Sequence, residues 1–423
     1  MYKTRVWVIA LFFGLAAATI GIVLISLPKR TVVIDIPTDD PVLFSTLVTE
    51  EILNPDGAAE DKAVAAITPP KVIADIEPQK PLLNPPKTIK ALYATNWSMS
   101  NQKKKNYLLD LIDKTELNAI VIDIKDYAGV IPYATDLKLA NKYKAVEVRI
   151  PRINQLIKNL HARGIYAIGR LSVFQDLALA KARPDLALIS SSTGKTWTDH
   201  KGLTWMDPSI KEVWDYNIAI AHDALDRGFD EINFDYIRFA SDGQLSDIVY
   251  PHWDEKTLKT KVIRNFFKYL REKLGAAPKL SVDLFGLTTV NRDGLGIGQS
   301  LEYALPYFDA IAPMVYPSHY FPGFIGLENP ADFPYEVVRY SMDRAIGQIK
   351  TYKAKAATTT PPVRAKLRPW LQDFDLGADY DAKKVRAQIT AWNDAASSTP
   401  EAFSGWMVWN AANRYTKEAL LPK

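Results

Sequence analysis

Past the first ninety positions, the apolar residues fall into two alternating patterns. Short β-branched and aromatic runs recur at Ala91–Asn96, Ala119–Lys125, Tyr166–Val173, Glu231–Phe239, Lys279–Phe285, Ala310–Tyr316, Arg368–Phe374 and Gly405–Asn410. Longer stretches with apolar residues at helical spacing lie between them, as at Val148–His161 and Pro208–Leu225. Ala162-Arg163-Gly164 closes the first of these and Asp226-Arg227-Gly228 the second, each glycine suiting a left-handed C-cap. Asp207-Pro208 supplies an N-cap followed by proline at the first helical position. Strands alternating with helices predict parallel pairing through crossovers, and eight strands over residues 88–423 predict a (β/α)8 TIM barrel. A doubly wound open sheet would put a glycine-rich turn after its first strand, where this chain has Asn96-Trp97-Ser98-Met99. Ala354–Lys366, with its threonines and prolines, reads as a surface loop.

The first 87 residues follow neither pattern. Val6–Leu27 runs 22 residues without a charge between Lys3 and Arg5 on one side and Lys29 and Arg30 on the other, long enough to span a bilayer. Ala16-Ala17-Ala18 offers a peptidase small residues, but the apolar run continues through Ile25, beyond the h-region of a cleaved signal. Residues 1–27 are therefore expected to be a short tail and an uncleaved transmembrane anchor. Residues 28–87 hold 10 of the 27 prolines and few aromatics, and read as a flexible tether. A five-residue tail is most simply left in the cytoplasm, which places the barrel outside it as a single-pass protein of the cytoplasmic membrane.

Composition narrows the chemistry. At 48% hydrophobic and 24% charged, the chain is an ordinary globular one. Fifty-two Lys plus Arg against 48 Asp plus Glu leave +4, too balanced for nucleic-acid binding. The absence of cysteine removes disulfides, thiolate metal sites and cysteine nucleophiles. The five histidines show no metal-ligand spacing, and there is neither a P-loop nor a Gly-x-Ser-x-Gly elbow, so no cofactor or resident metal is expected. A cation site of Asp123, Asp126, Asp235 and Asp283 is the one metal reading left open.

Barrel enzymes place their chemistry where strands end at the C-terminal face. Here those ends carry Asp123, Lys125 and Asp126 on the second strand, Arg170 on the third, Asp235, Tyr236 and Arg238 on the fourth, and Asp283 on the fifth. The sixth ends in Tyr316 and His319, the seventh in Gln372 and Asp373, and the eighth in Trp409 and Asn410. Strand parity sets Val121, Asp123 and Lys125 on one face, and Asn233, Asp235 and Ile237 on another. Two readings fit these acids: a layer of salt bridges with Lys125, Arg170 and Arg238, or a carboxyl pair that cuts a glycosidic bond. Trp97, Trp197, Trp205, Tyr316, Trp370 and Trp409 near the same ends favour a saccharide, whose C–H faces stack on aromatic rings.

Several segments also resemble a known family. Val121–Asp126 (VIDIKD), Gly228–Phe239 (GFDEINFDYIRF), Ala312–Tyr320 (APMVYPSHY), Arg368–Phe374 (RPWLQDF) and Gly405–Asn410 (GWMVWN) resemble the glycoside hydrolase family of bacterial TIM barrels once designated a domain of unknown function (DUF4015). Trp205–Ser209, Asn329–Ala331 and Pro334–Val338 continue the likeness, which covers about residues 89–416. It implies a barrel distantly similar to glycosidases of α-linked polysaccharides, with the nucleophile on the Asp that ends the fourth strand, here Asp235. The acid of such barrels ends the sixth strand, where this chain offers Tyr316 and His319 instead of a carboxylate. The partner acid then comes from Asp283, Asp123 or Asp373. Asp283 is preferred because its own strand has no basic residue after Lys279, whereas Asp123 sits two residues from Lys125. The expected function is anchored, extracytoplasmic polysaccharide hydrolysis; the alternative is a glycan-binding barrel without catalysis.

The anchor has a direct check: a topology reporter fused after Lys423 should be active outside the cytoplasm, and the intact chain should sediment with membranes. Activity only inside the cytoplasm would reverse the expected orientation.

Overall fold

A computed structural model describes residues 74–359 and 361–423. The expected anchor and most of the expected tether lie outside the described residues. Among those described, no helix is long and apolar enough to cross a membrane.

Eight parallel strands close on themselves: β1 (Ile89–Ala94), β2 (Ala119–Lys125), β3 (Tyr166–Ser172), β4 (Glu231–Asp235), β5 (Lys279–Phe285), β6 (Ala310–Met314), β7, split into Lys366–Leu367 and Trp370–Gln372, and β8 (Gly405–Trp409). β8 pairs back onto β1, with Ile89 opposite Gly405, and this seam completes the barrel. The outer layer is formed by α1 (Gln102–Lys114), α2 (Ile153–Ala162), α3 (Lys211–Asp226), α4 (Lys259–Leu274), the single turn α5 (Leu301–Ala304), α6 (Pro334–Thr359) and α7 (Ala382–Ala396).

Period-two alternation divides the strands between two cores. Ile120, Ile122 and Ile124 of β2 point outward into the larger core, with Ile157 and Leu160 of α2. Ala119 and Val121 point inward to a smaller cluster with Ile89, Ala91, Ile168, Ala312 and Met407. Below that cluster, Glu231 and Arg368 form a buried two-pronged pair, Nη1 to Oε1 at 2.8 Å and Nη2 to Oε2 at 3.2 Å.

Part of the expected tether is docked. Asp75 accepts from the backbone N–H groups of Asn154 and Gln155 at the start of α2, and the Leu82 N–H donates to Asp230 Oδ1 at 2.6 Å, just before β4. Leu82 packs against the inner cluster, so residues 75–82 run from the start of α2 to the N-terminal end of the barrel. These residues of the expected tether are held against the barrel as a strap. Other corrections have local causes. The fourth strand stops at Asp235 because Tyr236 adopts φ 53°, outside the extended region. Arg368-Pro369 interrupts β7, since proline lacks the N–H a ladder needs. The helix α6 runs into the segment expected to be a loop, through the good helix formers Lys353-Ala354-Lys355-Ala356-Ala357.

The closing seam is sterically demanding. Gly405 has φ 105°, and a Cβ there would lie 1.8 Å from the Ile89 carbonyl oxygen. Gly164 has φ 69° but open space around it. Gly405→Ala should therefore cost about 3 kcal/mol or more and Gly164→Ala about 1 kcal/mol, measured by denaturant unfolding. Equal losses would mean that only backbone conformation, and not the β8–β1 contact, constrains Gly405.

Candidate active site

β3 projects Arg170 into the barrel mouth, where the guanidinium is 3% exposed. Its Nη1 donates to Asp123 Oδ1 at 2.8 Å and its Nη2 to Asp235 Oδ2 at 2.5 Å, and its Nε lies 3.9 Å from Asp283 Oδ2. Each acid has a second tether. Asp123 Oδ2 accepts from the Tyr93 hydroxyl at 2.6 Å. Asp235 Oδ1 accepts from the backbone N–H of Tyr236 at 2.6 Å, where the left-handed turn that ends β4 begins. Asp283 Oδ1 accepts from both Asn233 Nδ2 and Trp370 Nε1, each at 2.8 Å. Aromatic rings wall the group: Tyr93 and Trp409 stack at 3.9 Å, Trp370 meets Trp409 edge-on at 5.5 Å, and the Arg170 guanidinium sits 4.9 Å from the Trp409 ring. Two buried polar atoms here, Arg170 Nε and Asn233 Oδ1, have no hydrogen-bond partner among the described residues.

One guanidinium faces three carboxyls. Burial pushes Asp123 up to about 6, against the opposing pull of Arg170 and the Tyr93 hydroxyl. Burial, and then the negative charge of Asp235, raise Asp283 well above the carboxylate range, more than Arg170, Asn233 and Trp370 lower it. Arg170 is in turn held well above its ordinary value by Asp235 and Asp123, despite burial. Side-chain exposure falls from 9% at Asp235 through 5% at Asp123 to 1% at Asp283, so Asp235 reaches furthest toward solvent. The charge that a metal would bring to these acids is supplied by Arg170.

The remaining expected residues separate by role. Trp97 stands 57% exposed at the rim, with the Arg149 guanidinium 4.1 Å from its ring. Asp126 shapes its loop, Oδ1 accepting from the Ala128 and Val130 N–H groups at 3.0 Å each and Oδ2 from Arg149 at 2.7 Å. Lys125 is a correction: an irregularity between Asp123 and Lys125 shifts the register with β3, so the two do not share a face. Its ammonium is fully buried outside the mouth, 2.6 Å from Asp176 Oδ2 and 2.8 Å from Asn217 Oδ1 of α3. Arg238 lies between the Trp205 and Phe285 rings, at 4.5 and 4.9 Å, and donates to Ser241. At the end of β6, Tyr316 is buried and meets His319 at 5.3 Å; burial lowers His319 to about 4, and its Nδ1 is 2.9 Å from Ser318 Oγ. Gln372 is wholly buried between Ser318 and Phe374. Asp373, raised to about 6 by burial, accepts from Thr416, and Asn410 donates to the Asp373 carbonyl.

Sequence reasoning missed Tyr93, Asn233 and Arg149. Asn233 shares the parity of Asp235 and was readable. Arg149 enters from the long β2–α2 connection, where no periodicity marks it.

The family model described as "DUF4015: Putative glycosyl hydrolase domain" matches residues 91–415, from within β1 to beyond β8. The chain belongs to this family. Its barrel is a glycosyl hydrolase domain, and the matched span contains Tyr93, Asp123, Arg170, Asp235, Asp283, Trp370 and Trp409. Among solved structures, the chain is similar to a hypothetical protein from Ruminiclostridium thermocellum ATCC 27405, at 35% identity over 45% of this chain and 96% of that one, with a TM-score of 0.42. It is similar to the α-galactosidase TtGalA from Thermus thermophilus in complex with stachyose, at 14% identity over 80% and 65% of the two chains, with a TM-score of 0.46. It is also similar to the glycoside hydrolase domain of PelA from Pseudomonas aeruginosa, at 12% identity over 80% and 98%, with a TM-score of 0.39. No curated protein matches the chain.

In this hydrolase domain the raised acids tie stability to pH. An acid raised on folding keeps its proton where the unfolded chain has lost it, so its contribution is full below about pH 4 and falls as pH rises through the folded value. For Asp123 that loss runs from about 4 to about 6, and for Asp283 it extends further up. Asp283→Asn should match wild type in melting temperature near pH 4 and exceed it by about 2–4 °C near pH 7. A gap that does not widen with pH would mean that Asp283 pays no ionisation penalty in the folded state.

Proposed function

We propose that the chain is a membrane-anchored, extracytoplasmic glycoside hydrolase acting on a cell-envelope or extracellular polysaccharide. The observation that carries this is the pairing of Asp235 and Asp283 beside one guanidinium under an aromatic wall, with Asp283 driven toward its neutral form. Glycosidic cleavage needs such an asymmetry, one carboxyl to give a proton and one carboxylate to attack or to activate water. In this reading Asp283 protonates the departing glycosidic oxygen as the C–O bond breaks. Asp235, the most accessible of the three, acts as nucleophile or base, and Asp123 holds Arg170 and Tyr93 in place. Trp409, partly exposed and backed by Tyr93 and Trp370, stacks on a sugar ring. The uncharged run Val6–Leu27 supports attachment to the membrane, and the balanced net charge of +4 speaks against a nucleic-acid partner.

One observation favours a second reading, a glycan-binding barrel without catalysis. Asp283 is 1% exposed and its Oδ1 is already taken by two donors, so substrate must displace part of its cover to reach Oδ2.

Incubating the full chain with envelope polysaccharides and measuring new reducing ends separates the two. Asp235→Asn should lower kcat by about 1000-fold. Asp283→Asn should abolish cleavage of substrates with poor leaving groups while sparing activated aryl glycosides, which need little protonation. Equal loss on both would remove Asp283 as the acid, and polymer bound without new reducing ends would establish the binding reading.

A further inference from the structure

We infer that the indole of Trp97 is a second glycan-stacking site, outside the Arg170 cluster, held rigid by Arg149. The inference rests on the saccharide reading above and names a part of the polymer contact that the acids do not provide. Trp97 lies on a five-residue helix directly after β1, whose N-cap Thr95 accepts from the Ser98 N–H at 3.0 Å. Trp197, Trp205 and Trp370, all expected at the rim, are instead 2%, 1% and 1% exposed, whereas Trp97 is 57% exposed. A large indole left in water costs hydrophobic free energy that burial would recover.

The second observation is how that indole is fixed. The Arg149 guanidinium covers one face at 4.1 Å, which leaves the opposite face to solvent. Arg149 is itself 9% exposed and locked by four hydrogen bonds: Nη1 to Asp126 Oδ2 at 2.7 Å and to Asn96 Oδ1 at 2.9 Å, Nε to Glu147 Oε1 at 3.0 Å, and Nη2 to Glu147 Oε2 at 2.8 Å. Asp126 is fixed in turn by the Ala128 and Val130 N–H groups. Four polar contacts, two of them part-buried, thus hold one cation against one exposed ring. Such an arrangement suits a ligand with a flat apolar face and a hydroxylated edge, which describes a pyranose. Among the described residues the indole Nε1 donates to no protein atom, and the Glu147 carboxylate that holds Arg149 is 56% exposed, so both can meet sugar hydroxyls. Pre-fixing the ring lowers the ordering cost of binding, and a ring bound away from the reacting bond lets a long polymer contribute affinity that a short one cannot. Arg149 and Asp126 are positioning residues here.

Affinity electrophoresis of the detergent-solubilised full chain through gels containing soluble starch, dextran or galactomannan tests this. Wild type should be retarded by at least one polymer, and Trp97→Ala should weaken that retardation about tenfold in apparent affinity. Trp97→Phe should restore part of it, because a flat ring remains, and Arg149→Met should fall between wild type and Trp97→Ala. The same polymer should protect wild-type fluorescence from acrylamide quenching, and this protection should shrink in Trp97→Phe to what Trp409 alone provides, a change that a merely structural role would not produce. Retardation and protection unchanged in the Trp97 variants overturn the platform while leaving the hydrolase reading intact. Arg149→Met behaving as wild type removes Arg149 from the arrangement, and no retardation of wild type by any of the three polymers counts against the saccharide reading itself.

Discussion

A buried arginine governs this barrel. Arg170 is removed from water in the middle of the mouth, which is tolerable only because carboxylates meet it, and those acids are tolerable there only because it is present. Breaking such a group by deleting its shared member would leave buried charges uncompensated, at a cost of about 3–5 kcal/mol. The stoichiometry does the rest. A single positive charge cannot neutralise three negative ones, and Asp283, the least exposed of the three acids and close to the charge of Asp235, is pushed well above the carboxylate range. A structural necessity of the fold therefore produces the unequal acids that glycosidic chemistry uses.

The barrel interior is layered around this requirement. Arg368 and Glu231 form an ionic floor, Ile89, Ala91, Val121, Ile168 and Met407 an apolar middle, and the Arg170 cluster a polar top. Glu231-Ile232-Asn233-Phe234-Asp235 shows how one strand serves all of this. Its three polar residues face the barrel axis, and Ile232 and Phe234 face the helices. Here the apolar face of the strand is the outer one, and the inner face carries function at one end and an ion pair at the other.

Legibility followed the regularity of the backbone. The eight strands could be read because each is short, β-branched and followed by a helical pattern, and the parity of Asp123 and Asp235 followed from period two. Where the backbone departs from ideal geometry, parity fails. The irregularity after Asp123 sends Lys125 to α3, and the left-handed turn at Tyr236 takes Arg238 out of the strand to lie between Trp205 and Phe285. The argument for Asp283 from its own strand also missed the decisive neighbour, since the closest cation, Arg170, comes from β3. Its pKa rises despite that cation, because burial and Asp235 outweigh it. Arg149 had no signal at all, as long connections carry no period.

The strap ties the chain that precedes β1 to two separate places on the barrel. Asp75 fastens the incoming chain to the start of α2, and Leu82 fastens it to the residue before β4, at the end of the strands opposite Asp123 and Asp235. Among the described residues, the Leu82 end of the strap and the Arg170 cluster therefore sit at opposite ends of the strands. A change in the loops that follow the strands can therefore leave the contact between Leu82 and Asp230 as it is.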